Sequence, residues 1–143
     1  MTLDDLDDLA QLLRHWDEPC ELYIRWTPNV DSDLDREGSK DELTGVALPG
    51  LSANALAVEP WWGDRPVRTW VARRLYDYRH LAELRGPGTL PYVLAGVEVG
   101  RGPDNEPLVS QCRLVARIDP TVIDCAVELV ESMPADWGSL RRG

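Results

Sequence analysis

Leu3, Leu6, Leu9, Leu13 and Trp16 recur at the spacing of one helical face, and the spacing predicts a first helix. Thr2 with Asp5 makes a capping-box-like start, Asp4, Asp5, Asp7 and Asp8 sit at the positive end of the helix dipole, and Pro19 ends the run. The period then changes to two. Cys20, Leu22, Ile24 and Trp26 point one way and Glu21, Tyr23 and Arg25 the other, the pattern of a half-buried strand. Residues 27–43 are polar, Asp-rich and aperiodic, and read as a loop. Leu51–Val58, after Pro49-Gly50, reads as a strand, and Glu59–Pro66 as an ordered loop carrying Trp61 and Trp62. Pro66 suits the first position of a second helix, where its missing N–H costs nothing. Val67, Val71, Leu75, Tyr78 and Leu81 or Ala82 form that helix's buried stripe, with Trp70 beside it, and Gly86-Pro87-Gly88 stops it. Tyr92–Val99 and Leu108–Ile118 alternate on either side of a Gly/Asn-containing connection, which predicts an antiparallel hairpin. Asp119 caps a last helix with Pro120 in its first turn and Val122, Ala126, Leu129, Val130 and Met133 inward; residues 134–143 read as a frayed tail. The order αβ(β)αββα implies an α+β fold: one compact domain over 1–143, with a mostly antiparallel sheet packed against about three helices.

Composition adds constraints. A chain of 143 residues, 43% hydrophobic, is long enough for an ordinary core. It has six Trp and no Phe, so the aromatic part of that core comes from side chains whose N–H or O–H needs a partner when buried. A net charge of −10 argues against a nucleic-acid partner, which would require clustered Lys and Arg. Residues 1–44 carry 13 acidic and 4 basic side chains, whereas residues 45–102 carry 5 and 7, so the centre is mildly basic inside an acidic chain. No apolar run approaches bilayer length, and the acidic start is the opposite of a signal peptide, so no membrane association is expected. Cys20, Cys112 and Cys125 form no C-x-x-C pair; reduced thiols in the cytoplasm are the simplest expectation. The oligomeric state stays open.

The chemistry-bearing residues are few. Asp31, Asp33, Asp35, Ser39 and Glu42 fall on positions 1, 3, 5, 9 and 12 of a calcium-loop pattern, but Arg36 and Gly38 occupy positions that want Gly and an aliphatic residue. A solvated acidic loop is the plainer reading, and no metal or other cofactor is expected. Gly96, Gly100 and Gly102 lie between two strands rather than between strand and helix, so they read as hairpin geometry and not as a dinucleotide loop. His15 and His80 have no nucleophile motif nearby. Arg65, Arg68, Arg73, Arg74 and Arg79 form either a solvated face paired to the acidic N-terminal third or an anion site.

Three stretches, residues 16–26 (Trp16 to Trp26), residues 41–81 with their Trp-Trp pair, and Gly100–Val109 with Gly102-Pro103-Asp104-Asn105-Glu106-Pro107, together resemble an uncharacterised family of short actinobacterial proteins, a domain of unknown function. That resemblance implies a source and no activity. The chain also resembles the ADP-ribosyltransferase fold of the Arg–Ser–Glu class. There Leu22-Tyr23-Ile24-Arg25 matches the strand whose Arg holds NAD, Gly50-Leu51-Ser52-Ala53-Asn54 the Ser strand, and Asp104-Asn105-Glu106 the acidic turn. This likeness implies Arg25, Ser52 and Glu106 in one cleft, with the carboxylate stabilising a cationic ribose; Asn54 departs from the Ser-x-Ser/Thr pattern. The reading the sequence favours is a non-catalytic binding or regulatory module, with the NAD-using enzyme or a degenerate relative as its alternative. The module would use Trp61, Trp62, Arg65, Arg68 and Trp70 to capture a protein or small molecule. If those Trp instead fill a core without Phe, they are structure.

Overall fold

The structure is a computed structural model that describes residues 1–36, 48–103 and 105–133. In chain order its elements begin with β1 (Thr2–Leu3), α1 (Leu6–Arg14), β2 (Glu21–Thr27), α2 (Val30–Arg36), β3 (Leu51–Ser52) and β4 (Asn54–Ala55). A 3-10 turn (Pro60–Trp62) follows, then α3 (Val67–Tyr78), α4 (Leu81–Leu84), β5 (Leu90–Arg101), β6 (Pro107–Ile118) and α5 (Pro120–Glu131).

The alternating runs near the end of the chain form the expected hairpin: β5 and β6 pair antiparallel, with Tyr92 opposite Arg117 and Arg101 opposite Pro107. β2 lies antiparallel on the other side of β5, with Tyr23 opposite Leu94. The expectation of a mostly antiparallel sheet is corrected to a mixed one. Thr2 and Leu3 run parallel to β6, where Leu3 faces Ile118 and its carbonyl accepts the Asp119 N–H. Because Thr2 is in the sheet, the capping residue of α1 is Asp5, whose carboxylate accepts the Asp8 N–H at 2.8 Å. The helix also stops at Arg14, well before Pro19.

The expected strand over Leu51–Val58 is two short strands with different partners. Leu51 and Ser52 pair with Val109 and Leu108 of β6, while Asn54 and Ala55 pair with Ile24 and Tyr23 of β2. One five-residue stretch thus reaches both β6 and β2, and the sheet curls.

The helix count also exceeds the expected three. α2 occupies part of what the polarity of 27–43 suggested was a loop. Asn29 starts it by accepting the Ser32 N–H at 3.0 Å. Its inner face is Val30, Leu34 and, unusually, the buried Asp33. The second predicted helix breaks at Arg79-His80 into α3 and the single turn α4, and Pro66 sits at the capping position rather than inside. Two expectations, the Ser39 and Glu42 positions of the calcium pattern and the frayed tail at 134–143, lie outside the described residues.

The core has two layers. Leu22, Ile24 and Trp26 of β2, with Val93 and Ala95 of β5, meet Leu6 and Leu9 of α1, Val71 and Leu75 of α3, and Val122 and Ala126 of α5. On the other face, Tyr92, Leu94 and Leu51 pack with Val30, and Tyr23 packs with Ala53 and Val109. β2 is therefore buried on both faces rather than one. Each fully buried Val, Leu or Ile among them stabilises the fold by roughly 1.5–3 kcal/mol relative to exposure.

Asp119 caps α5 as the sequence predicts. Its carboxylate accepts the backbone N–H and the hydroxyl of Thr121 at 3.0 and 2.8 Å, and these bonds, the backbone one first, hold it below the usual carboxylate range. A carboxylate depressed in the folded state stabilises the fold above its unfolded titration and ceases to do so as pH falls through the lower folded value. Asp119→Ala should therefore lower the melting temperature at pH 7, with the difference from the unsubstituted protein shrinking below about pH 4. A series of thermal melts between pH 3 and 8 checks this, and a pH-independent difference would contradict the capping role.

Candidate functional site

A cleft of about 700 Å³ opens where the curled sheet, the loop after β4, α3–α4 and the β5–β6 turn converge. β2 contributes Ile24 and Trp26 from its helix-covered face, and β3 and β4 contribute Ser52, Asn54 and Ala55. The following loop adds Ala57, Val58, Glu59 and Pro60. Arg74 and Tyr78 come from α3, His80, Leu81 and Arg85 from α4 and its flanks, and Arg101, Asn105, Glu106 and Pro107 from the end of the hairpin. Three arginines and a histidine here face two carboxylates, in a chain of net charge −10.

The arginines are held by defined partners. Arg74 donates from Nε and Nη2 to the Ala55 carbonyl at 3.0 and 2.6 Å, and its guanidinium lies over the Trp70 and Tyr78 rings. Arg85 Nη1 donates to the Trp26 carbonyl at 2.7 Å. Arg101 pairs with Glu98 at 3.2 Å and donates to the Asn105 carbonyl at 3.0 Å. The Trp26 indole N–H is buried without an acceptor among the described residues.

Arg25, Ser52 and Glu106, far apart in sequence, are joined by hydrogen bonds. Arg25 Nη1 donates to the Ser52 carbonyl at 2.6 Å, and the Ser52 hydroxyl donates to Glu106 Oε2 at 3.1 Å. Ser52 and Glu106 line the cleft, whereas Arg25 projects from the opposite face of β2 and is only 8% exposed. Its Nε meets Asp33 of α2 at 2.6 Å. Of the calcium pattern, then, Asp33 is the partner of an arginine; Asp31 and Asp35 are exposed on the same helix. Among the described residues no group of three or more His, Cys, Asp or Glu is placed to hold a metal ion.

The Trp/Arg centre is largely scaffold. Trp62 and Trp70 are 1% and 2% exposed, and Trp61, at 46%, packs edge-on and tilted against them with ring centroids 6.0 and 5.5 Å away. Their N–H groups are met by the Arg65 carbonyl, the Leu56 carbonyl and the Glu59 carboxylate. Arg65 stacks on Trp62 and donates to the carbonyls of Trp62 and Trp61, and Arg68 pairs with Asp7 of α1 at 3.0 Å. In the sequence Arg74 stands out only as one of a run of arginines. Nothing there marks Arg85, Arg101, Asn105 and Tyr78 as cleft residues, because they meet only after the hairpin end folds toward α4. Elsewhere on β2, burial, reinforced by Glu98, raises the Tyr23 phenol above its ordinary range.

The three hairpin glycines fall in two settings, within β5 and at the turn. Gly96 lies inside β5, where a Cβ would press on Val109, and Gly100 also lies within β5. Gly102 is at the turn: its N–H donates to the Glu106 carbonyl at 2.8 Å, and a Cβ there would collide with the Glu106 carboxylate. Asn105, at φ 62, completes the turn in the left-handed region that Asn tolerates.

Residues 1–138 match the family of unknown function DUF6098, and the chain belongs to that family. No curated protein and no solved structure matches it. Among the described residues no helix is long and apolar enough to cross a membrane.

Gly102→Ala should displace the Glu106 carboxylate, because a flexible side chain yields more readily than backbone. The expected result is a melting temperature within a few degrees of the unsubstituted protein, with a shifted Glu106 carboxyl carbon resonance. An unshifted resonance would show that the turn accommodates the methyl group without moving the carboxylate.

Proposed function

We propose that the cleft binds an anionic dinucleotide of the NAD class and that Glu106 acts on its ribose, in the manner of an ADP-ribosyltransferase. The observation that carries this reading is the Ser52–Glu106 hydrogen bond set in a cleft that also holds Arg74, Arg85 and Arg101. A volume of about 700 Å³ falls in the ordinary range for a small-molecule site. Guanidinium groups suit a pyrophosphate, since they offer several N–H donors in a fixed plane. Tyr78 offers an aromatic surface at the same cleft.

In the proposed reaction the bond between ribose C1′ and the nicotinamide nitrogen breaks, and its electron pair leaves with nicotinamide, neutralising the pyridinium. The ribose is left cationic, and the Glu106 carboxylate, oriented by the Ser52 hydroxyl, stabilises that charge. A nucleophilic oxygen or nitrogen then attacks C1′ and loses its proton to solvent.

A second reading is a non-catalytic binding or regulatory module on the same surface. Trp61 supports it, since it is half exposed on the loop whose Val58, Glu59 and Pro60 line the cleft. The three cysteines, none of them in a disulfide, support assignment of either form to a reducing cytoplasm, and the sequence resemblance supports an actinobacterial source.

Calorimetric titration with NAD and chromatographic detection of nicotinamide separate the two. The enzyme reading expects binding and slow nicotinamide release, with release reduced at least about 100-fold in Glu106→Gln while binding persists. Arg101→Ala should weaken NAD binding by about tenfold, the loss of one charge-assisted contact. Binding without release favours the module; no binding at millimolar NAD overturns the proposal.

A further inference from the structure

We propose that Arg25 and Asp33 form a positioning pair, through which α2 sets the geometry of Ser52 and Glu106 from the far face of the sheet. This rests on the reading of the Ser52–Glu106 pair as the reacting part of the cleft. It assigns Arg25 a different task from the one its strand position suggested. A group that contacts a dinucleotide must reach the cleft, and Arg25 does not line it.

The geometry runs as one connected series. Asp33 Oδ2 holds Arg25 Nε at 2.6 Å, with both side chains less than a tenth exposed. The guanidinium is planar and rigid, so fixing Nε also fixes the direction of Nη1. Nη1 in turn holds the Ser52 carbonyl at 2.6 Å. That carbonyl belongs to β3, which is two residues long, and the N–H of the same peptide, on Ala53, donates to the Pro107 carbonyl of β6 at 3.1 Å. A strand so short has little ladder to orient it, and the Arg25 bond supplies a second point of attachment. The orientation of the Ser52 peptide decides where its hydroxyl points, and the hydroxyl holds the Glu106 carboxylate at 3.1 Å. No described side chain of α2 lines the cleft, yet the helix closes the first link of this series.

A merely structural ion pair would affect stability alone, so the test separates the two. In Arg25→Met with Asp33→Leu, two apolar side chains of similar volume replace the pair, an exchange that commonly preserves or raises stability. Because the exchange also removes the Arg25 donor from the Ser52 carbonyl, the expected result is a folded protein whose melting temperature falls by only a few degrees. The Glu106 carboxyl carbon resonance should move in the direction seen for Ser52→Ala, and the kcat for nicotinamide release from NAD should fall at least tenfold with KM changed less than threefold. If the double variant does not fold, Asp33→Asn, which keeps shape and an acceptor but loses the charge, should move the resonance in the same direction by a smaller amount, with a kcat loss of about threefold. Unmoved Glu106 resonances in a folded variant overturn the inference. If the unsubstituted protein neither binds nor cleaves NAD, the ligand assignment fails, and the resonance measurement still decides whether the pair positions Glu106.

Discussion

Between β6 and β2 the chain crosses the curled sheet in the largely buried stretch Leu51–Leu56, which pairs for only two residues with each neighbouring strand. A buried carbonyl without a partner costs about 1–3 kcal/mol, so each must be met. Neighbouring strands meet part of the demand: Ala53 N–H donates to the Pro107 carbonyl and Leu56 N–H to the Leu22 carbonyl. Side chains meet the rest. Arg25 binds the Ser52 carbonyl, Arg74 the Ala55 carbonyl with two donors, and Trp70 the Leu56 carbonyl. Gly50, whose absent Cβ lets it lie against the Val109 backbone, starts the crossing. The large polar side chains that looked like surface chemistry are therefore first the means by which this crossing is held.

The lining of the cleft follows from where that stitching leaves the donors. Arg74 serves Ala55 and still lines the cleft, and Ser52 is held by its carbonyl while its hydroxyl reaches Glu106. The Trp cluster supports the loop on one side of the cleft, with Trp62 and Trp70 in the core and Trp61 partly outside. An acidic chain thereby presents a locally cationic cleft. Several acidic residues pair away from it: Asp7 with Arg68, Glu18 with Arg113, Asp33 with Arg25.

Elements with a clean period are legible in the amino-acid pattern alone: the hairpin, the Asp119 cap, α1 and the stripe of α3. α2 is not, because its inward face carries Val30, Leu34 and an aspartate, and a buried Asp reads as polar until its arginine is known. β2 shows alternation, but not that Tyr23 and Arg25 are also covered. Arg25 is covered from α2, which follows β2 directly but whose polar sequence hides its helix, and Tyr23 is covered by Ala53 and Val109, both remote in sequence. The split of 51–58 into two strands is equally invisible, since pairing partners leave no local signal in so short a run.

The site divides along the same line. Arg25, Ser52 and Glu106, far apart in sequence, are joined by hydrogen bonds in the fold. Local chemistry could not assign their tasks. The sequence by itself determined which residues alternate, cap and turn, because those properties depend on neighbours within a few positions. Only the tertiary structure decided that Arg25 faces away from the cleft, that Asp33 is its partner, and that Arg85 and Arg101 face the cleft together. Such outcomes depend on which distant backbone carbonyls and charges the curled sheet brings within hydrogen-bonding reach.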